Sequence, residues 1–129
     1  MLGAAAARGD RPGALPRKVL VVDDEPDLVD LAQALLSHHG LEVCIAYGGA
    51  EALEMLAADP YIDALFSDVM MPGMNGLELA DAIRSHYPHI RILLTSGYTA
   101  PELLGLHSER YAYIPKPYRI DDVIERLRH

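Results

Sequence analysis

The chain contains no tryptophan, a single phenylalanine and a single cysteine. One cysteine excludes an internal disulfide, and Cys44, set within an apolar run, is expected to be a small buried core residue. No uninterrupted apolar stretch approaches the ~18–20 residues of a membrane span. The opening residues 1–10 lack a cationic start followed by an apolar core, so no secretory signal is read and the cytoplasm is the expected compartment. Positive charge is also scarce: 11 Lys and Arg stand against 19 Asp and Glu, a formal net charge of −8. A surface of that sign does not grip nucleic-acid phosphates, so neither a nucleic-acid nor a membrane partner is expected. What remains is ordinary globular composition, 50% hydrophobic and 23% charged, in 129 residues, enough for one three-layer domain.

Residues 1–16 are rich in Ala, Gly, Arg and Pro without periodicity and read as a flexible leader or linker, leaving 17–129 as the domain. Lys18–Val22 is a continuous β-branched run, the pattern of a strand buried on both faces. Leu28, Leu31, Ala32, Leu35 and Leu36 then recur at helical spacing up to Gly40. Glu42–Ala46 predicts a second strand, and Ala50, Leu53, Leu56 and Ala57 one face of a second helix ending at Asp59-Pro60. A third strand runs through Leu65 and Phe66 into Asp68, where Pro72-Gly73-Met74-Asn75-Gly76 forces a turn. Leu77, Leu79, Ala80 and Ile83 mark a third helix, and Ile90–Leu94 a fourth strand closing at Thr95. Thr99 to Arg110, interrupted by Gly105, predicts a short or mobile fourth helix. Tyr111–Ile114 makes a fifth strand, and Ile120, Val123, Ile124 and Leu127 stripe a last helix.

Five alternations of strand and helix with short connections specify a parallel sheet with helices on both faces. The natural order is the flavodoxin-like, doubly wound 2-1-3-4-5, which sets strands one and three side by side at the topological switch point. Asp23, Asp24 and Asp68 would then converge at one edge. Three like charges repel unless a cation joins them, and oxygen-only ligands suit a hard ion such as Mg²⁺. Alone, Asp68 could equally cap a turn, Thr95 could cap a strand, and Lys116 could serve a structural ion pair. Together, a carboxylate nucleophile, a metal site, a hydroxyl donor and an ammonium are the parts of a phosphoryl-transfer centre.

Four motifs in this order, Val-Val-Asp23-Asp24-Glu25-Pro, Ser-Asp68-Val-Met-Met-Pro-Gly-Met-Asn-Gly, Leu-Leu-Thr95-Ser-Gly-Tyr and Tyr113-Ile-Pro-Lys116-Pro-Tyr, resemble the receiver domain of two-component response regulators from about Lys18 onward. The resemblance implies that Asp68 accepts a phosphoryl group from a phosphohistidine of a histidine kinase or histidine phosphotransfer domain. It implies Mg²⁺ held by Asp24, Asp68 and the Met70 backbone carbonyl, with Asp23 acting mainly through a metal-bound water. Thr95 and Lys116 would contact the phosphoryl oxygens, and Tyr113 would be the aromatic switch, altering the surface of the fourth helix, fifth strand and fifth helix. A monomer or weak homodimer is expected, and a cis Lys116-Pro117 bond, as the family often has. Both a free-standing regulator and the receiver of a hybrid sensor kinase fit.

Two departures stand out. Pro115 removes a backbone donor from strand five, which only an edge strand tolerates. Met70 and Gly97, two residues beyond Asp68 and Thr95, offer no polar side chain to a hydrolytic water. Two alternatives stay open: a Mg²⁺-dependent phosphatase with an aspartyl-phosphate intermediate, for which Met70 occupies the place of the general acid, and a docking module that is never phosphorylated. His38-His39 and Gly48-Gly49 read as a solvated helix end and a turn.

Overall fold

The computed structural model describes residues 14–97 and 110–128. Strands β1 (Lys18–Val22), β2 (Glu42–Ala46), β3 (Ala64–Asp68), β4 (Arg91–Ser96) and β5 (Ala112–Pro115) pair in parallel in the order β2-β1-β3-β4-β5. The described helices are α1 (Pro26–His38), α2 (Gly49–Ala58), α3 (Gly76–His86) and α4 (Ile120–Leu127). This is the doubly wound, flavodoxin-like order that the alternation of patterns specifies. The expected helix at 99–110 lies outside the described residues, except for Arg110 in a turn. Among the described residues no helix is long and apolar enough to cross a membrane.

Alternate residues of each strand point to opposite faces, so the core has two halves. Val19, Val21 and Phe66 meet Val29 and Leu36 of α1 and Val123 and Leu127 of α4. Leu20, Val22 and Leu65 meet Ala52 and Leu56 of α2 and Leu79 and Ile83 of α3. Each such large side chain contributes roughly 1.5–3 kcal/mol on burial. The central strand β3 is buried at all five residues, which carries Asp68 into the interior edge of the sheet.

Local chemistry sets the ends of the helices. Pro26 opens α1 where a missing N–H costs nothing, and Gly40, at φ 88°, turns the chain out of it. Asn75 and Glu78 form a reciprocal capping box at α3, with Glu78 N donating to Asn75 Oδ1 at 2.8 Å and Asn75 N to Glu78 Oε1 at 3.0 Å. Asp63 accepts from the backbone N–H groups of Arg17 and Lys18, both at 2.9 Å, fixing the entry into β1. Of the expected leader, residues 14–16 are described: Pro16 is buried, Leu15 packs on the core, and Arg91 donates to the carbonyls of Ala14 and Leu127.

Several expectations need correction. Cys44 is only half-buried, because β2 is an edge strand with one flank open; its Sγ donates to Val19 O at 3.7 Å. Ala50 and Ala57 are exposed, and the inward face of α2 is instead Gly49, Ala52 and Leu56. Leu31 is 56% exposed, while Val29 takes the inward position on α1. Ile90 precedes β4 and Tyr111 precedes β5. Pro115 does lie on an edge strand, and the Lys116-Pro117 bond is cis.

Candidate functional site

The carboxyl ends of β1, β3, β4 and β5 bring together the residues that the motifs single out. Asp68 ends β3 and is in register with Thr95 of β4. Val69 N donates to Thr95 O at 2.8 Å, extending the ladder one step past the carboxylate. Asp23 leaves β1, anchored by its N–H to Ala46 O at 3.2 Å, and its Oδ1 accepts from Glu25 N at 3.0 Å. Carboxylate oxygens of Asp23, Asp24 and Asp68 lie within 4.8 Å of one another. Asp23 and Asp68 are buried and Asp24 is exposed.

Lys116 reaches this cluster from beyond β5. Its Nζ donates to Asp23 Oδ2 at 3.1 Å and pairs with Asp68 Oδ2 at 3.4 Å. The Pro115 nitrogen lies on the open side of this edge strand, and Lys116 N donates to Ser96 O at 3.0 Å, which ties the base of the lysine to the end of β4. Thr95 is 3% exposed, and its Oγ1 is buried without a hydrogen-bond partner among the described residues. An orphaned buried hydroxyl costs about 1–3 kcal/mol, so a fold that keeps one beside a carboxylate holds a donor in reserve. Tyr113, two residues before Pro115, donates from its hydroxyl to Ser96 O at 3.3 Å.

Burial pushes the Asp68 carboxyl above the ordinary carboxylate range; Lys116 opposes that shift and Asp23 adds to it. For Lys116 burial acts downward, but the hydrogen bond it donates to Asp23 and the charges of Asp23 and Asp68 outweigh it and the ammonium is held above its usual value. One cation thus faces three carboxylates, leaving a local excess of negative charge that a divalent metal ion would offset. The all-oxygen donor set is compatible with a hard divalent ion. Met70 N donates to Asp68 Oδ1 at 3.2 Å, so the backbone after β3 curls back over the acid.

Sequence reasoning missed one neighbour. Tyr118 packs edge-to-face on Phe66 at 5.2 Å between ring centroids, and burial raises its hydroxyl pKa, with Lys116 lowering it and the Asp23 and Asp68 charges raising it. Its only signal was an aromatic residue just after Pro117.

A family model described as the response regulator receiver domain matches residues 19–128. The chain belongs to that family. It is 37% identical over 112 residues to the transcriptional regulatory protein CpxR of Escherichia coli K12, and 39% over 113 residues to the response regulator MprA of Mycobacterium ulcerans. Each match covers 86% of this chain but only 47% and 48% of those proteins, so the chain spans about half the length of these relatives. Among solved structures, the response regulator TrrA of Thermotoga maritima, in complex with Mg²⁺ and BeF, superposes with a TM-score of 0.77 at 31% identity, covering 86% of this chain and 96% of that one. The receiver domain of the hybrid histidine kinase CckA gives a TM-score of 0.70 at 32% identity, covering 85% and 94%. The receiver domain is a phosphoacceptor module of two-component signalling. It catalyses its own phosphorylation and dephosphorylation.

Proposed function

We propose that Asp68 is the phosphoacceptor, and that Asp23, Asp24, Thr95 and Lys116 form its reaction centre. The observation that carries this reading is the pairing of Lys116 with both Asp23 and Asp68 opposite the Thr95 hydroxyl, which has no hydrogen-bond partner among the described residues. A carboxylate oxygen of Asp68 attacks the phosphorus of a phosphohistidine, the P–N bond breaks, and the imidazole nitrogen leaves with the electron pair. Lys116 and Thr95 donate to the phosphoryl oxygens, where charge accumulates as the group moves. Asp24, Asp68 and the Met70 carbonyl would hold Mg²⁺, with Asp23 acting through a bound water. When present, the ion neutralises phosphoryl and carboxylate charge.

Once the acyl phosphate forms, the Thr95 hydroxyl gains a phosphoryl partner, and its movement opens space for the Tyr113 ring. Such contacts exist in only one state, so they bias a two-state equilibrium. The donor is a histidine kinase or a histidine phosphotransfer domain, in a cytoplasmic setting, with 17–129 as the receiver. A groove lined by Leu28, Leu31 and Leu35 of α1 with Pro117 and Tyr118 opens beside Lys116 and suits the apolar face of a helical donor. A phosphatase reading is disfavoured because Met70, 49% exposed, brings no acid to the leaving group.

Incubation with acetyl phosphate and Mg²⁺ is expected to label the wild-type chain once and the Asp68→Ala variant not at all, as read by mobility shift on a Phos-tag gel and by intact mass spectrometry. Undiminished labelling of the variant would remove Asp68 from the role. A second outcome concerns lifetime. Because Met70 and Gly97 orient no water, the acyl phosphate is expected to persist for minutes or longer in Mg²⁺. Chasing the label after donor removal checks this, and decay within seconds would sink it.

A further inference from the structure

The opposite edge of the sheet carries a feature that the phosphoacceptor chemistry does not use. Between the amino ends of β4 and β5, a cavity of about 300 Å³ is lined by Arg84, Arg91, Arg110, Tyr111 and Arg126, and no acidic residue lines it among the described residues. In a chain with 19 acidic residues and a net charge of −8, that concentration of guanidinium is a local reversal of sign. Arg84 and Arg110 hold their Cζ atoms 4.9 and 5.5 Å from the centroid of the buried Tyr111 ring. The Tyr111 hydroxyl donates to Asp81, which also pairs with Arg110 Nη2 at 3.3 Å.

The arginines divide by role. Arg91 is structural, donating to Ala14 O and Leu127 O. Arg126 uses Nη1 on Tyr113 O at 2.9 Å. Arg84 makes no hydrogen bond or ion pair with a described residue; its stacking on Tyr111 orients the guanidinium and leaves its donors uncommitted. Asp81 pairs with Arg110, and among the described residues the cavity lining itself carries four arginines and no carboxylate, an excess of positive charge.

We propose that this cavity binds a small polyphosphate anion, a molecule with two or more linked phosphates, through Arg84, Arg110 and Arg126 around Tyr111. Planar guanidinium forks pair with phosphate oxygens bidentately, and several of them are better matched by linked phosphates than by one monoanion. The volume lies at the lower end of the range for small-molecule pockets. A long polyanion is disfavoured, because beyond the cavity its phosphates would meet an acidic surface. Arg126 also holds the carbonyl of Tyr113, so the anion would bear on β5, the strand that leads into Lys116. The proposal stands independently of which aspartate is phosphorylated.

Isothermal titration of the full chain with sodium triphosphate, ATP and sulfate, in EDTA to keep divalent ions off the carboxylate cluster, tests it. Triphosphate or ATP is expected to bind with unit stoichiometry, weakening as salt rises, and sulfate about tenfold or more weaker. Tighter binding of ATP than triphosphate would assign the anion to a nucleotide, and the reverse to an inorganic chain. Arg84→Gln with Arg110→Gln should weaken triphosphate about tenfold or more and leave labelling by acetyl phosphate intact. On the wild-type chain, amide shifts should move at Arg84, Tyr111 and Ala112 during the same titration. No binding at millimolar concentration, sulfate binding as well as triphosphate, or shifts centred on Asp68 and Thr95 would each overturn the proposal.

Discussion

Replacing Lys116 with alanine is expected to cost the fold about 2–3 kcal/mol at neutral pH in metal-free buffer, because it strands two buried carboxylates. The Asp23 and Asp68 side chains are 8% and 6% exposed, and Lys116 is the ammonium that pairs with both. The sign of the pH dependence follows. Asp68 is already held above its ordinary value by burial, and Lys116 is the group that opposes this. Without the lysine the folded-state value climbs further, so the native state takes up a proton more readily than the unfolded chain. The penalty is therefore largest above that value and fades as pH falls through it. In the wild type the raised Lys116 value means its stabilisation is complete below 10.5 and is lost as pH rises through the folded value. Urea melts from neutral to acid pH check this, with Mg²⁺ added in a second series. The ion should restore more stability to Lys116→Ala than it adds to wild type, since it then supplies the missing countercharge. Equal losses at all pH values, or no larger gain with Mg²⁺, would show that the ammonium does not hold the acids together.

The strands were legible because buried parallel strands have little choice of composition: Lys18–Val22 and Ala64–Asp68 carry apolar residues on both faces and run on into turn-forming segments at Pro26 and Pro72-Gly73. Once their order is fixed, the convergence of Asp23, Asp68, Thr95 and Lys116 is a matter of topology. Helix faces were less legible. In α2, alanine is nearly as compatible with solvent as with the core, so periodicity alone did not separate the buried Ala52 from the exposed Ala50 and Ala57. In α1 the leucine stripe is wider than the sheet can cover, and Leu31 remains outside beside the groove near Lys116. Cys44 misled because an apolar strand pattern does not say which strand will be the edge. The capping box of Asn75 and Glu78, and the grip of Asp63 on Arg17 and Lys18, are carried by ordinary polar residues whose partners emerge only when the chain closes.

Gly76→Ala is expected to be among the most destabilising single-methyl changes in the domain. A Cβ at Gly76 would stand 2.2 Å from the carbonyl oxygen of Asp68 and 2.8 Å from Val69 Cα, both backbone atoms that cannot swing aside. The obstacle is space, since the φ of Gly76 is not positive. Gly76 N also donates to Val69 O at 2.8 Å, so the loop after β3 closes on itself at this contact. Relief requires moving either the start of α3 or the backbone of Asp68, at a cost of about 3 kcal/mol or more and a fall in Tm on the order of 10 °C. Because the displaced atoms belong to Asp68, labelling by acetyl phosphate should fall even where the variant stays folded. Gly48→Ser is the matched control: nothing lies within 4 Å of its Cβ, and as the N-cap of α2 it gains a hydroxyl acceptor, so its Tm should hold or rise. If the two variants melt together with wild type, the close approach of Gly76 to Asp68 is not what shapes the loop under the acid.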